Sequence, residues 1–326
     1  MLPSYRFKII STTETHQYRQ IIFVFILLGT LYSFGQNPAA SDDVKNVGHQ
    51  LELRHDNDFF TFTDRYYTSG LFLTYRTLLQ KGILSSGKEQ IKFSIGQEIF
   101  SPSNIKSGEI ADLDRPYVGF LGLVGGWSHA QNTSLLEADL LLGVAGPASG
   151  ASGFQKWYHH TFVVSDPPVW GNQMENSIHA NMYAKYLKEW RLAPNPFSVH
   201  MSIKPQIAIG TRDSYVHPEF MATFGRRNRL SSSMAHNQLG AVDREIFFSL
   251  TAGHRFVFHN ALLEGNALGD NSVFLVQADK NVWYFGFDFK HRFGQNNYWF
   301  GYRINSPESQ RTQSHRYIIL SYARNF

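Results

Sequence analysis

The stretch Asn281-Val-Trp-Tyr-Phe-Gly-Phe-Asp-Phe-Lys-His291 decides how this chain folds. In it Trp283, Phe285, Phe287 and Phe289 alternate with Tyr284, Gly286, Asp288 and Lys290. A period of two is the strand period, because successive side chains of a strand leave opposite faces. The alternation recurs in Phe197–Gly210, where Val199, Met201, Ile203, Ile207 and Ile209 are spaced by His200, Ser202, Lys204 and Gln206. Leu136, Leu140, Leu142 and Val144 likewise oppose Glu137, Asp139 and Gly143. No comparable segment places apolar residues at helical spacing between caps.

Counting outward gives about 12 such segments: 49–58, 66–80, 89–100, 116–129, 134–146, 177–191, 197–212, 217–227, 246–259, 280–294, 296–306 and 314–326. Turns as short as Gly294-Gln295-Asn296 predict antiparallel hairpins. The longer polar connections 101–115, 147–176, 228–245 and 260–279 are expected on one working rim. Long strands in even number, each with one apolar face, predict an all-β fold: a transmembrane antiparallel up-and-down β-barrel. Lys185, Lys204 and Asp288 are expected to fill its narrow lumen. Tyr298, Trp299, Tyr302, Tyr317 and Tyr322 are expected to form interfacial girdles. A secreted β-sandwich also buries alternating faces. The strand lengths, an aromatic content of 15%, and a terminal Phe326 in line with Ile318, Leu320 and Tyr322 favour the barrel. Arg324 departs from that apolar line.

Ile21–Phe34 is a 14-residue apolar run behind Arg6, Lys8 and Arg19. It is short for a membrane helix and suits a signal-peptide core, with cleavage expected after Gly35 and a buried core helix as the alternative. The expected organisation is therefore residues 1–35 as signal peptide and 36–326 as one barrel domain. Lys plus Arg number 30 and Asp plus Glu 26; without the first 35 residues the balance is 27 to 25, a net +2. So small and unclustered an excess predicts no nucleic-acid partner. The absence of cysteine excludes disulfide scaffolds, thiolate metal sites and cysteine nucleophiles.

Several motifs lead nowhere. Gly82-Ile-Leu-Ser-Ser-Gly87-Lys88 approaches a phosphate loop, but Glu89 stands where Ser or Thr would hold magnesium. Asp56-Asn57-Asp58 opens like an EF-hand loop without its Gly and final Glu. Ser149 and Ser152 lack the G-x-S-x-G context, and His200 and His254 read as lumen fillers.

Three pieces remain. His55-Asp56-Asn57-Asp58 closes the first strand, and Thr63-Asp64-Arg65-Tyr66-Tyr67-Thr68-Ser69-Gly70 opens the second. Clustered hard oxygens suit calcium, while a solvated polar turn explains them equally. Glu52, Arg54, Asp56 and Asp58 share one face, so a regular strand turns Asn57 outward; a bulge or strand end at Asp56 would reverse this. Asp114-Arg115-Pro116-Tyr117-Val118-Gly119 either orients carboxylates or makes a strand-start turn. The third piece is Gly146-Pro147, then Gln155-Lys156-Trp157-Tyr158-His159-His160, then Asp166 to Gln173. There a His in an aromatic loop can accept a proton from water near neutral pH.

In this order the three pieces, with Pro307-Glu308-Ser309-Gln310 and the last strand, resemble the lipid A 3'-O-deacylase family over essentially the whole mature chain. The resemblance implies a 12-stranded barrel in the outer membrane of a Gram-negative bacterium that cleaves an ester-linked acyl chain from lipid A of lipopolysaccharide in the outer leaflet, with calcium; apart from the resemblance, a monomer is expected over an oligomer. It carries the family's Asn-Asp pair onto Asn57 and Asp58, as catalytic groups and metal ligands. It carries the loop His onto His159 and the Thr of Tyr-Thr-x-Gly onto Thr68. His55-Asp56 stands in place of a more usual Glu, Ser69 stands where Asn is common, and Asp166 or Glu175 would have to serve as the loop Glu. An outer-membrane phospholipase, a narrow pore and a non-catalytic lipid-binding barrel are the alternatives.

Overall fold

A computed structural model describes residues 47–58, 65–84, 86–163, 166–192 and 198–326. Residues 1–35, expected as a signal peptide, and Thr63 and Asp64 lie outside the described residues. Fourteen strand segments form one antiparallel sheet: β1 (His49–Asn57), β2 (Tyr66–Leu78), β3 (Lys88–Ser101), β4 (Val118–Ala130), β5 (Ser134–Ala145), β6 (Ser177–Arg191), β7 (Val199–Ile203), β8 (Gln206–Gly210), β9 (Asp213–His217), β10 (Glu219–Arg226), β11 (Glu245–Asn260), β12 (Asn281–Phe293), β13 (Asn296–Asn305) and β14 (His315–Asn325). They amount to a closed barrel of 12 strands, because β7 with β8, and β9 with β10, are single strands broken at Pro205 and Pro218. Proline has no N–H for the ladder. The broken strands stay joined because Lys204 and Glu219 exchange backbone hydrogen bonds at 2.7 and 3.2 Å.

The barrel closes where β1 pairs with β14, from Gln50 opposite Asn325 to Asn57 opposite Ile318. His49 and Phe326 exchange backbone hydrogen bonds at 3.0 Å and their rings stack. Arg324, the misfit of the last strand, shares the Asn296 side-chain oxygen with the Tyr322 hydroxyl, at 2.9 and 2.8 Å. No strand edge is left, which is what a bilayer demands.

Burial is inverted relative to a water-soluble fold. Ile178 and Phe258 are 79% and 72% exposed on the outer wall, while Asp288 and Glu52 are 6% exposed inside. A sandwich would bury the apolar set, so this inversion discards it. The lumen carries the charges as ion pairs: Arg76–Glu52, Lys92–Asp139 and Arg303–Asp288 at 2.6, 2.9 and 2.8 Å. Lys185, Lys204 and Asp288 fill it as expected.

Three expectations are corrected. Trp299 and Tyr317 are not girdle residues: both line the lumen, Trp299 donating its indole N–H to Asp288 at 2.6 Å. Tyr298 and Tyr322 pair on the outer wall, ring centres 5.5 Å apart. His254 is no lumen filler, since it packs between Phe256 and Trp283 on the outer face; His200 is buried with the inward set. The strand expected at 217–227 begins earlier, at Asp213.

The long connections do not share a rim either. Those after β1, β3, β5, β11 and β13 leave the rim where β1 ends and β14 begins, the external one by its longer loops. The connection Arg227–Arg244 leaves the opposite rim, where β1 begins and β14 ends. It folds into the lumen mouth as a plug. Glu245 accepts from Asn228 N–H, Ser233 hydroxyl and Met234 N–H at 2.7, 2.6 and 2.9 Å. Lys290 donates to the Met234 and Ala235 carbonyls, Arg292 to the Ser232 carbonyl, and Gln90 reaches Asn237 and Leu239. Leu230 packs into Ala130, Leu135 and Leu187 of the wall.

At the same rim the false phosphate loop is explained. The Glu89 carboxylate accepts the Ile83 and Leu84 N–H groups at 2.9 and 2.7 Å, and the Trp127 indole at 2.8 Å. Adjacent N–H groups of a turn form an anion nest, and here the chain's own carboxylate occupies it.

Candidate functional site

At the external rim, β1 runs regularly to its last residue, Asn57, which pairs with Ser69 of β2 and Ile318 of β14. Asn57 therefore sits on the outward face of the wall. Neither a bulge nor a strand end interrupts it at Asp56; a bulge lies on the neighbouring strand, where the β2–β3 register shifts between Tyr67 and Ser69 and isolates Thr68. A bulge re-aims side chains at a barrel rim. Thr68 is buried; its carbonyl accepts the Asp58 N–H at 3.3 Å and its hydroxyl donates to the Tyr66 carbonyl. The Asp58 carboxylate is buried at 1% exposure and accepts the Arg65 N–H at 2.8 Å. Asn57, Asp58 and Thr68 are thus brought together.

Asp56 does not join them. Arg54 binds it through two nitrogens, and the Tyr67 hydroxyl donates to it at 2.9 Å. This explains the Tyr-Thr-x-Gly spacing. Tyr67 crosses over Gly70, the cross-strand partner of Asp56, and a Cβ there would lie 2.1 Å from the Tyr67 hydroxyl oxygen. The two departures from the family pattern meet on the outer wall: the His55 ring nitrogen lies 3.4 Å from the Ser69 hydroxyl.

The Asp114–Gly119 motif is the scaffold of this rim. Asp114 accepts from the Tyr66 hydroxyl and the Ser103 N–H, both at 2.9 Å. Arg115, 1% exposed, donates to the Leu262 carbonyl, lies 3.9 Å from Glu308 and covers the Phe100 ring. Burial holds its pKa down to about 10, against the nearby charges of Glu308 and Asp114 that raise it. Gly119 admits the next loop: a Cβ there would meet Ala151 Cβ at 2.1 Å and Ser149 Oγ at 2.3 Å. The Gly119 carbonyl accepts the Gly146 N–H, and Ser149 spends its hydroxyl on the Gly146 carbonyl at 2.6 Å. Ser149 is therefore a turn residue and not a nucleophile. Phe100, Val118, Phe120, Leu141, Ala145, Met174 and Leu262 form a small apolar core beneath, and Tyr117 stacks on Trp170.

The segment Ser152–Pro168 falls in a compact unit apart from Val44–Ala151 and Val169–Phe326, and is described by itself. Helix α1 (Ala151–Tyr158) passes into a π-helical stretch His159–Val163. Such π turns recur at functional sites. Gln155 and His159, four apart on one helical path, share a face and are both buried, while Trp157 is exposed. Burial, and then the charge of neighbouring His160, lowers the His159 pKa from 6.5, so its ring is neutral at pH 7. Asp166 and Glu175 are both exposed; the Glu175 N–H donates to Ser272.

Sequence reasoning missed Tyr67 as the keeper of Asp56 and Arg115 as the tie between three loops. Gly70 and Gly119 were the available signals, since a glycine at a strand position marks a close approach. Among the described residues no three His, Asp or Glu side chains cluster to hold a metal.

Fold and rim together define a closed outer-membrane barrel with a polar, buried cluster beneath its external loops. The chain belongs to the family described as outer membrane protein LpxR, whose model matches residues 22–326. The resemblance to lipid A 3'-O-deacylases drawn from its motifs is thereby borne out. Among solved structures it is similar to LpxR from Salmonella typhimurium, with a TM-score of 0.73, 19% identity, and 85% of this chain covering 100% of that one. The β domain of the Bordetella autotransporter BrkA matches at a TM-score of 0.41 and 10% identity, over 87% of this chain and 100% of that one. No curated protein matches this chain.

Proposed function

We propose that this protein is a calcium-dependent esterase that removes the 3'-position acyl chain from lipid A in the outer leaflet, after export on a cleaved signal peptide. The observation that carries the reading is the rim geometry: Asn57 on the lipid-facing wall, the buried carboxylate of Asp58 next to it in the chain, and Thr68, set in a bulge, accepting the Asp58 N–H on its carbonyl. An acylated sugar lying in the leaflet meets this face without leaving the bilayer.

The donor set fits calcium in kind. Asn57 and Asp58 offer hard oxygens, and Asp56 is withdrawn by Arg54. Asp58 and Asn57 would hold the ion, which supplies polarisation of the ester carbonyl. The residues do the rest. Neutral His159 takes a proton from water as the water oxygen bonds to the carbonyl carbon. The ester C–O bond then breaks, and His159 returns the proton to the departing sugar oxygen, giving a free hydroxyl and a fatty acid. No acyl-enzyme is needed.

The test is the lipid A mass spectrum of an outer membrane carrying the full chain, with and without calcium. Loss of one 3'-linked acyl chain only with calcium, absent in His159→Ala, is expected. Deacylation that survives either chelation or His159→Ala overturns the mechanism. A folded barrel that leaves lipid A intact and cleaves glycerophospholipid instead would make it a phospholipase.

A further inference from the structure

We propose that the lumen of this barrel binds a small oxyanion, a phosphate or a carboxylate, on Arg255. Above the plug the lumen encloses a cavity of about 650 Å³. Its wall carries ten Lys or Arg and nine Asp or Glu side chains. Nearly all the cations are matched to acceptors. Arg54, Arg76, Lys92, Lys185, Lys204, Arg212 and Arg303 each meet a carboxylate, Arg115 meets a carbonyl and Glu308, and Lys290 meets two plug carbonyls.

Arg255 is the exception. Its guanidinium lies between two aromatic faces, 4.3 Å from the Tyr215 ring centre and 4.4 Å from that of Tyr284. Its Nε is buried without a hydrogen-bond partner, and no described carboxylate comes within the 4.0 Å of an ion pair. The nearest carboxylates are taken: Asp213 by Arg212 and the Tyr183 hydroxyl at 2.9 and 2.7 Å, Glu308 by Arg115.

On the cavity wall its charge has no carboxylate in ion-pair contact, and the two rings hold Arg255 against swinging to another wall. A clamped guanidinium presents its fork in one plane, the geometry that suits phosphate or carboxylate. The cavity has room for such an anion, and the surplus of one cation over the anions gives it the right sign. The site is separate from Asn57, Asp58 and Thr68, which lie at the rim and do not line this cavity.

The test is calorimetric titration of the folded, detergent-solubilised full chain with inorganic phosphate in an oxyanion-free buffer. Saturable binding of one phosphate per chain is expected, weakened about tenfold or more in Arg255→Gln and less in Arg255→Lys. Absence of saturable heat in the wild type, or equal affinity in Arg255→Gln, overturns the proposal. Should Arg255→Gln fail to fold, bromide-soaked crystals of the wild type decide: anomalous density beside the guanidinium supports the site, and its absence there refutes it. A solubilised lipid phosphomonoester distinguishes the source. Displacement of phosphate by it marks a lipid headgroup as the occupant, and no displacement marks a freely diffusing anion.

Discussion

Replacing Glu245 with alanine is expected to unseat the lumen plug while leaving the barrel wall intact. The carboxylate is fully buried and accepts from the Asn228 N–H, the Ser233 hydroxyl and the Met234 N–H at 2.6 to 2.9 Å; it also pairs with Arg292 at 3.0 Å. Truncation leaves two backbone donors and a guanidinium buried without their acceptor. Breaking one side of a buried pair costs about 3–5 kcal/mol, so the plug's open population rises by roughly 10²–10⁴-fold. Trypsin reads that population. Arg227 lies at the start of the plug with its side chain wholly buried against Glu189, so cleavage after it requires opening, and under fast reclosure the rate follows the open fraction. Cleavage after Arg227 should therefore accelerate by the same factor in Glu245→Ala. Planar bilayers should show current for that variant where the wild type is silent. An unchanged cleavage rate in a folded variant would refute the reasoning, because it would mean the carboxylate does not hold the segment.

Three further outcomes are expected. Burial lowers the His159 pKa, so its neutral, proton-accepting form persists below pH 6.5 and is lost only as pH falls through the lowered value; the acid limb of kcat/KM should have its midpoint below 6.5, and one at or above it would contradict the assignment of His159 as base. Gly119→Ala forces a Cβ into Ala151 and Ser149, which should cost about 1–3 kcal/mol in urea unfolding and depress deacylation with it, whereas Gly125→Ala, with nothing within 4 Å of its Cβ, should change neither. Glu89→Gln keeps the shape of its turn but weakens two N–H bonds and the Trp127 bond; a loss of about 1–3 kcal/mol is expected in the same assay.

Much of this protein is written in local pattern. A period of two is enforced by backbone geometry at every residue, so the strands, their antiparallel order and the closed barrel follow from residues such as Trp283 to Lys290 without knowledge of their neighbours. The rim motifs were legible as well. Asn57 faces outward because Glu52, Arg54, Asp56 and Asp58 fix the parity of the strand, and Gly70 and Gly119 announce close packing. What pattern left open depends on contacts between residues far apart in the chain. Trp299 lies between Tyr298 and Phe300, so aromatics occupy both faces and parity alone does not say which face is lipid; the hydrogen bond to Asp288 turns Trp299 inward. Asp56 looks like a metal ligand in sequence, and Arg54 and Tyr67 remove it from that role. The polar run 228–245 has the composition of any surface loop. Its place in the lumen comes from Gln90, Glu245, Lys290 and Arg292, side chains on separate strands that the closed barrel brings to one mouth. Sequence determined the wall, because the wall repeats a local rule; tertiary structure decided what the lumen holds, because buried charge must find its partner wherever the fold puts one.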